Sequence, residues 1–430
     1  MTLMFLLAGL ALVAVLLALG VPIWLVLATT AGAFLLIDGK SVVGIAQHVV
    51  DHLNSPALVA VPFFLLAAVF MRGGGVARAL FDAAITWIGW MPGGLALAGI
   101  AATAVFAAIN GSSVATAMAM GSLLVPMMVE KGYKPGFAMG LTAAAATLGI
   151  LIPPSLPMIL IGLIAEVSIP RLFLAGVVPG LVQATLFAGY VLVVARRVGG
   201  APMPLAPGGA FLRSNLQALP ALAIPVVILG GLYGGFVTLT EAAVLGAVVS
   251  LVVVLLAYGP RSPRKIGGFF VEAIDRTAVV VVIVIGASLL SAWIIRSGLP
   301  QDLARLVVES GFRPWQFLLV LNVILLVMGM FLEGVAIILI VVPVVAPVIR
   351  QIGIEPEHFA VVVVINIELA LLSPPIGLNL FVMSNITGRP VGEVLRGTLP
   401  FFFLMLGLLM LVTLVPQIST WLPSVMMPRP

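Results

Sequence analysis

Two stretches of the chain place consecutive prolines inside segments that are otherwise apolar enough to lie in lipid. They are LGILIPPSLPMILIG at 148–162 and LALLSPPIGLNLFVM at 369–383. Proline removes a backbone donor and clashes with the preceding turn, at a cost of about 3 kcal/mol or more in a helix interior. Backbone that leaves the helix at membrane depth must be satisfied by protein or by a water-filled cavity. The prolines therefore predict two helices that are broken near the middle of a membrane.

The composition agrees with a membrane location. Of the 430 residues, 62% are hydrophobic and only 8% are charged, whereas soluble domains carry roughly 25% charged residues. We therefore predict an all-α polytopic membrane protein. The chain contains no cysteine, which excludes disulfides, thiol nucleophiles and thiolate metal sites. It shows no phosphate-binding loop and no Ser/His/Asp group, so we predict neither an ATPase nor an enzyme.

Apolar segments divide the chain into candidate spans, each of which needs about 20 residues to cross the hydrocarbon core. The candidates fall near 2–20, 21–37, 56–71, 93–109, 114–129, 135–165, 171–195, 219–236, 238–258, 277–295, 314–331, 335–349, 357–387 and 398–416. Two of them, 135–165 and 357–387, are too long for one simple crossing. These two carry the double prolines, which supports a break in each.

An internal repeat underlies the double prolines. When the chain is aligned with itself so that the first double proline lies on the second (the repeat register), proline falls on proline and glycine on glycine at five positions. The coinciding pairs are Pro126 and Pro347, Gly132 and Gly353, Pro135 and Pro356, Pro153 and Pro374, and Pro154 and Pro375. Chance does not readily produce five such matches in one register. We therefore predict two repeats, 1–197 and 219–417, joined by a cytoplasmic linker at 198–218.

Basic residues predict the orientation of the two repeats. With the N-terminus outside, thirteen Lys and Arg residues face the cytoplasm, Arg72 and Arg276 among them, and seven face outward. This distribution follows the positive-inside rule. Each repeat then makes an odd number of net crossings, so the repeats have opposite topology, as in many secondary transporters. Charge alone leaves open whether 93–131 is a re-entrant hairpin or two full crossings.

The broken helices predict ion sites. Prolines at each break free upstream carbonyl groups, and these oxygens, with the C-terminal end of the first half-helix, suit a small hard cation. The following half-helix begins with exposed N–H groups, which suit an anionic carboxylate. Discontinuous helices of secondary transporters bind ion and solute in this way. The alternative is a packing kink without a ligand, which a lone proline would favour more than a duplicated pair does.

Polar residues interrupt the apolar segments just before each break. The stretch NGSSVAT at 110–116 supplies hydroxyls and uncapped helix ends, unless it is an ordinary loop between helices. The repeat register places Glu333 opposite Ser112. A carboxylate in a span costs roughly 2.5–3.5 kcal/mol on insertion scales and should face a polar interior. Glu368, six residues before Pro374, carries a proton, shapes the cavity or makes a structural hydrogen bond.

Other polar motifs have simpler interpretations. Thr238 and Glu241 form the pattern of a capping box at the start of an apolar helix. His48, Asp51 and His52 share a helical face in AQHVVDHL, which favours an interfacial amphipathic helix over a metal site. Segments 75–90 and 299–311 are also amphipathic and are expected to lie along the membrane surface.

Four motifs in order resemble the large membrane (permease) subunit of tripartite ATP-independent periplasmic (TRAP) transporters. They are GSSVATAMAMGSLLVPMMVEKGYKPGFAMGLTAAAATLGILIPPS, LFLAGVVPGL, TLTEAAVLGA and ELALLSPPIGLNLFVMSNI. The resemblance covers nearly the whole chain. It implies the ion-transporter superfamily fold, with a static scaffold and a mobile transport domain formed by about 93–165 and 314–387. That domain would contain two re-entrant hairpins, 93–131 and 314–350, and the two discontinuous helices.

The resemblance also implies a function. It is sodium-coupled import of an organic acid (C4-dicarboxylate, sialic acid or keto acid) across the bacterial inner membrane by an elevator motion. Na+ would be the coupling ion, with no other metal or cofactor. The implied partners are a periplasmic substrate-binding protein and a separate small four-helix membrane subunit.

Site residues follow from the same resemblance. The first sodium site would comprise Asn110, Gly111, Ser112, Ser113, Gly149, Ile152 and Pro154. The second would comprise Glu333, Gly334, Ala370, Ser373 and Pro375, and the substrate cavity Ser155, Glu368, Gly377 and Asn379. Asn110 stands where a small hydroxyl residue is expected, and Glu333 where the family often has aspartate.

Two alternative functions stay open at this point. One is a one-component sodium- or proton-coupled anion carrier of the same superfamily, which needs no binding protein. The other is an intramembrane enzyme or a passive channel. An enzyme should show paired acids or histidines at helical spacing within spans, and a channel rarely needs a duplicated pair of unwound helices.

Overall fold

The structure is a computed structural model that describes residues 19–73, 75–258 and 263–428, together with Leu12, Val15 and Leu16. Most of the predicted first span, 2–20, lies outside the described residues. The described residues contain helices and no β-strand. Nine helical segments among them are long and apolar enough to cross a membrane, or ten if two helices that meet at a 54° bend are counted together. The prediction of an all-α polytopic membrane protein is confirmed.

The first repeat contains helices of 4 to 30 residues. Its described helices are α1 (Ile23–Ile37), α2 (Val42–Leu53), α3 (Pro56–Gly73), α4 (Val76–Ile88), α5 (Gly94–Asn110), α6 (Ser113–Glu130), α7 (Pro135–Ala145), α8 (Leu148–Leu151), α9 (Leu156–Ala165) and α10 (Ile169–Val198). Helices α5 and α6 form the first hairpin, whose tip is Gly111 and Ser112. Helices α7, α8 and α9 form the first broken helix.

The second repeat follows the same order. Its described helices are α11 (Gly208–Tyr233), α12 (Leu239–Val253, continued by a π-helical turn Val254–Tyr258), α13 (Pro263–Ser297), α14 (Leu299–Glu309), α15 (Pro314–Phe331), α16 (Gly334–Gln351), α17 (Pro356–Leu371), α18 (Leu378–Thr387), α19 (Val391–Leu414) and α20 (Gln417–Met426). Helices α15 and α16 form the second hairpin, with Leu332 and Glu333 at its tip. Helices α17 and α18 form the second broken helix.

Both helix interruptions occur where the sequence predicts them. The first broken helix stops at Leu151 and resumes at Leu156. The second stops at Leu371 and resumes at Leu378. Each double proline lies in the interruption, and each contains a cis peptide bond. The breaks therefore divide each long apolar segment into two helical halves.

The two repeats contact each other reciprocally. Helix α3 packs on α12, and α13 packs on α1. In the repeat register, α1 corresponds to 244–258 and α3 to 277–294, so each of these contacts is the counterpart of the other. The second arm of the first hairpin packs on α18, and the second arm of the second hairpin packs on α9, in the same reciprocal way. Such pairing is expected of two repeats related by a pseudo-twofold axis.

Several helices are longer than the sequence predicts. The predicted linker 198–218 is helical from Gly208 onward, because Phe211 packs on Trp87 at 5.0 Å between ring centroids and Asn215 accepts the Trp87 indole N–H. Helix α13 begins at Pro263 rather than at residue 277. The predicted capping box of Thr238 and Glu241 is present. The predicted amphipathic helices are α2, α4 and α14.

Glycines allow α7 and α19 to pack at very short range. A Cβ built on Gly397 would lie 1.7 Å from the Gly136 carbonyl oxygen, and one built on Gly140 would lie 2.1 Å from the Gly397 carbonyl carbon. No side chain larger than hydrogen fits at either position. The first half of the first broken helix is therefore fixed against α19 by backbone contact.

We expect Gly397→Ala to destabilise the protein, because the new methyl group would overlap the Gly136 carbonyl, and overpacking costs roughly 1–3 kcal/mol or more. Gly407→Ala in the same helix is the matched control, since a Cβ there meets nothing within 4 Å. The control should gain about 0.5–1 kcal/mol from replacing a helical glycine. Tm values of the detergent-purified variants measure both effects. Equal Tm values would contradict the close approach of α7 and α19.

Candidate functional site

Ser155 closes the first break from both sides. Its hydroxyl oxygen accepts the N–H of Met158, as the N-cap of α9, and its O–H donates to the Ile150 carbonyl in α8. Ile152 has extended backbone, with φ −79° and ψ 128°. In the described part of the chain, no N–H or O–H group donates a hydrogen bond to the Ile152 or Pro154 carbonyl. These two oxygens therefore keep their lone pairs available.

The tip of the first hairpin abuts this break. Gly111 has a φ of +64° and ends α5, and a Cβ on it would lie 2.7 Å from the Pro154 carbonyl oxygen. Ser112 caps α6 by accepting the Ala115 N–H. A Cβ on Gly149 would lie 3.3 Å from the Ser112 carbonyl. The structure thus brings together the tip and the backbone that the sequence assigned to the first sodium site.

Asn110 is oriented by its amide nitrogen. Its Nδ2 donates to the Ser112 carbonyl at 3.3 Å and to Thr116 Oγ1 at 3.2 Å. No donor among the described residues bonds its carbonyl oxygen. Thr116 is fully buried, and its hydroxyl oxygen lies 3.3 Å from where a Cβ of Gly149 would be. Thr116 was not among the predicted site residues. Its position, one helical turn after Ser112 and Ser113, is the sequence feature that would have indicated it.

Asn379 connects the second broken helix to the first hairpin. Its Nδ2 donates to Ser113 Oγ at 2.8 Å and to the Ala143 carbonyl at 3.0 Å. Because Ser113 begins α6 and Ala143 lies in α7, one side chain holds three elements together. Asn379, Ser155 and Glu368 each have 0% exposure. Gly377 is buried as well, so all four residues that the sequence assigned to the substrate cavity are enclosed in this conformation.

The second hairpin packs closely beside the second break. A Cβ on Gly334 would lie 2.4 Å from Ile367 Cγ2, and one on Gly329 would lie 2.4 Å from Ala370 Cβ. The second hairpin therefore packs directly on α17. Ser373 donates its hydroxyl to the Leu369 carbonyl at 2.7 Å. No hydrogen bond among the described residues joins Glu333 to Ser373 or to the neighbouring Pro375.

Glu368 lies at the centre of the packed helices. Neither of its carboxyl oxygens has a hydrogen-bond partner among the described residues, and the same is true of Gln183 Oε1 beside it. Gln183 donates its Nε2 hydrogen to Thr147 Oγ1 at 2.9 Å. Thr147 is the counterpart of Glu368 in the repeat register. The two equivalent positions of the repeats therefore meet around one glutamine.

Two arginines line a cavity at the tip of the first hairpin. This cavity has a volume of about 70 Å³, and its wall includes Asn110, Gly111 and Pro154 on one side and Arg72 and Arg276 on the other. The sequence predicts that both arginines face the cytoplasm, just beyond the spans near 56–71 and 277–295. The predicted span at 277–295 stopped short of Arg276 because the segment before it contains charged residues. The structure instead continues α13 through that segment.

The sequence also suggested a metal as the less favoured interpretation of His48, Asp51 and His52. Among the described residues, no group of three or more His, Asp and Glu side chains is placed to hold a metal ion. His48 Nε2 instead lies 3.2 Å from the Ser288 carbonyl, and the His48 and His52 rings lie 4.3 Å apart. The interfacial helix is the interpretation that these contacts support.

Comparison with known proteins places the chain in one group. Residues 10–418 match the family described as "Tripartite ATP-independent periplasmic transporter, DctM component". The C4-dicarboxylate TRAP transporter large permease protein DctM of Pseudomonas aeruginosa is 40% identical over 390 residues, which cover 91% of each chain. The protein of the same description from Vibrio cholerae is 37% identical over 430 residues, which cover 95% of each chain.

A solved structure has a similar fold. The YdaH transporter of Alcanivorax borkumensis matches 87% of this chain and 89% of its own with a TM-score of 0.60, at 15% sequence identity. At this level of identity the match concerns the fold alone. The helical arrangement described above is therefore one that a membrane transporter uses.

We expect Gly111→Ala to destabilise the protein more than Gly388→Ala. Both glycines have a φ near +65°, where an L-residue costs about 1–2 kcal/mol. A Cβ at Gly388 meets nothing within 4 Å, whereas one at Gly111 meets the Pro154 carbonyl. Tm values of the two purified variants therefore separate the contact from the backbone strain. An equal loss of Tm would show that the tip does not rest on the break.

Proposed function

The chain belongs to the DctM family of tripartite ATP-independent periplasmic transporters, and we propose that it is the large permease subunit of a sodium-coupled importer of organic acids. The expected solutes are of the C4-dicarboxylate, sialic-acid or keto-acid type, the first being the solute class in the names of the two relatives above. The expected location is the bacterial inner membrane. Transport leaves the solute chemically unchanged, so we assign no catalytic residue.

The contact between Gly111 and Pro154 is the observation that carries this proposal. It places the hairpin tip, with the Asn110 side-chain carbonyl and the Ser112 hydroxyl, against a break whose Ile152 and Pro154 carbonyls accept no hydrogen bond from the described residues. Na+ is a hard cation that prefers oxygen ligands, and carbonyl and hydroxyl groups are the neutral ones available in a protein. This combination is what a discontinuous-helix ion site requires.

The second sodium site is proposed by equivalence. Glu333, Gly334, Ala370, Ser373 and Pro375 occupy the corresponding tip and break of the second repeat. The packing of the second hairpin on α17, through Gly334 and Gly329, supports their proximity. Ser373 directs its O–H hydrogen to the Leu369 carbonyl. The Ser373 carbonyl accepts the Gly377 N–H at 2.9 Å and keeps its second lone pair for a cation. We propose this carbonyl as the Na+ ligand at Ser373.

We propose an elevator motion for the transport step. The two hairpins and the two broken helices interlock through the α6–α18 and α9–α16 contacts, and through the hydrogen bonds of Asn379. Helices α1, α3, α12 and α13 form a second set of mutual contacts. Rigid-body movement of one packed set against the other is an established route to alternating access. The first set is the proposed transport domain, 93–165 with 314–387, and the second belongs to the scaffold.

Two partners complete the proposed system. A separate small four-helix membrane subunit would cover part of the lipid-facing scaffold. A periplasmic substrate-binding protein would deliver the solute. The one-component carrier of the same superfamily is the alternative that the experiment below tests.

Uptake in proteoliposomes tests the coupling and the partners together. We expect organic-acid uptake only when an inward Na+ gradient, the small subunit and the cognate binding protein are all present. The control replaces the Na+ gradient by an equal K+ gradient. Equal uptake from a proton gradient without Na+ would remove the sodium sites. Full uptake without the binding protein would instead favour the one-component carrier.

Two substitutions at Ser373 test the second site. We expect Ser373→Ala to lose less Na+-dependent uptake than Ser373→Leu, because alanine keeps the backbone carbonyl while leucine adds volume at a position that is only 9% exposed. The Na+ concentration for half-maximal uptake is the measured quantity. Equal impairment in the two variants would identify the hydroxyl oxygen as the ligand.

A further inference from the structure

Arg72, Glu272 and Arg276 form a charged triad between α3 and α13. Glu272 Oε1 accepts a hydrogen bond from the Arg72 guanidinium and forms an ion pair with Arg276, whose Nη2 lies 2.9 Å away. Arg276 lies one helical turn after Glu272 within the apolar segment Ile266–Ser297. Two guanidinium groups and one carboxylate leave the triad with one net positive charge. Ionisable residues within apolar spanning segments are costly and mark ligand or ion pathways.

The triad faces both hairpin tips. Arg72 and Arg276 line the cavity of about 70 Å³ against Asn110, Gly111 and Pro154. Arg276 also lines a neighbouring cavity of about 260 Å³, which contains Glu333. The Arg276 side chain is 41% exposed, so it is the open member of the triad. One guanidinium group therefore borders the surroundings of both proposed sodium sites.

The triad has no equivalent at the corresponding position of the internal repeat. The residues equivalent to Arg72, Glu272 and Arg276 in the repeat register are Trp293, Asp51 and Ser55. Trp293 is almost fully buried against Phe34, with ring centroids 4.8 Å apart. The equivalent position in the other repeat is thus an apolar contact. Since the same architecture is built there without two arginines, packing alone does not explain the triad.

We propose that Arg72 and Arg276 form an anion-binding subsite for the carboxylate of the transported solute. When no solute is bound, the Glu272 carboxylate pairs with both arginines in its place. The planar guanidinium group binds carboxylates through paired hydrogen bonds, which makes arginine the suitable residue for this role. The identity of the ligand rests on the proposed function, because the ligand is the transported organic acid. The positive charge of the subsite is a property that can be tested without knowing the solute.

Labelling of a single cysteine tests the charge of the subsite. The chain has no cysteine, so Ala68→Cys, at a residue that lines the same cavity, supplies the only thiol in this chain. The probes are an anionic sulfonatoethyl and a cationic trimethylammonioethyl methanethiosulfonate, applied to the complex with the small subunit. We expect the anionic reagent to be favoured, relative to its reaction with a free thiol. Adding Arg276→Gln should lower this preference about tenfold, a typical effect of one charged hydrogen-bonding group.

Arg389→Gln is the matched control. Arg389 and Glu393 form an i,i+4 ion pair at 2.9 Å with 44% and 32% exposure, nearly the same as the 41% and 32% of Arg276 and Glu272. This control should leave the labelling preference unchanged, whereas Glu272→Gln should increase it. The same preference in the Arg276→Gln and Arg389→Gln variants would overturn the subsite.

Uptake kinetics test whether the subsite binds solute. The probes are succinate, N-acetylneuraminate and pyruvate, and the one that the wild-type transporter takes up is used. We expect Arg276→Gln to raise KM about tenfold, Arg276→Lys to raise it less, and Arg389→Gln to leave it unchanged. An unchanged KM in Arg276→Gln would overturn the subsite while leaving the proposed function intact. If the wild type takes up none of the three, the proposed class of solute is wrong. The labelling result still shows whether the subsite is positively charged.

Discussion

The structure depends on how interrupted backbone is satisfied inside an apolar environment. A helix that stops within a span leaves carbonyl and N–H groups without their usual partners, and lipid offers none. At the first break, Ser155 satisfies one group on each side, and the glycine at the hairpin tip allows the tip to approach the Pro154 carbonyl. The hairpin and the broken helix therefore form one packed structural unit.

Close backbone packing holds the hairpins and the broken helices in position. Gly140 and Gly397 bring α7 and α19 into direct backbone contact, and Gly329 and Gly334 bring the second hairpin onto α17. Small residues serve this purpose in membranes because lipid provides no hydrophobic force to drive helices together. Asn379 adds hydrogen bonds between elements that are far apart in the sequence. The Asn379 hydrogen bonds and the Gly329 and Gly334 contacts pack the hairpins and broken helices together, as movement in one body requires in the proposed mechanism.

The sequence predicts those features that proline, glycine and apolar periodicity encode locally. The helix breaks and the Thr238 capping box occur as predicted because each depends on neighbouring residues. The re-entrant character of the hairpins stays a prediction. The start of α11 at Gly208 was missed because tertiary contacts of Phe211 and Asn215 stabilise a helix in a polar segment. Thr116 and Arg276 were missed for a related reason, since their roles depend on residues that are distant in the sequence. The sodium sites and the orientation in the membrane stay predictions.

Electrostatics relates the arginine triad to the proposed cycle. The hairpin tips and breaks present oxygen atoms, which favour cations, whereas Arg72 and Arg276 belong to α3 and α13 on the scaffold side. A solute carboxylate between them would contact the sodium-loaded hairpin tips and the guanidinium groups at once. Its negative charge would then stabilise the positive charge on both the transport domain and the scaffold. When the transport domain moves, the carboxylate must leave the arginines. Glu272 then matters, because it can replace the departing carboxylate and spare the two cations the cost of remaining unpaired in a low-dielectric site.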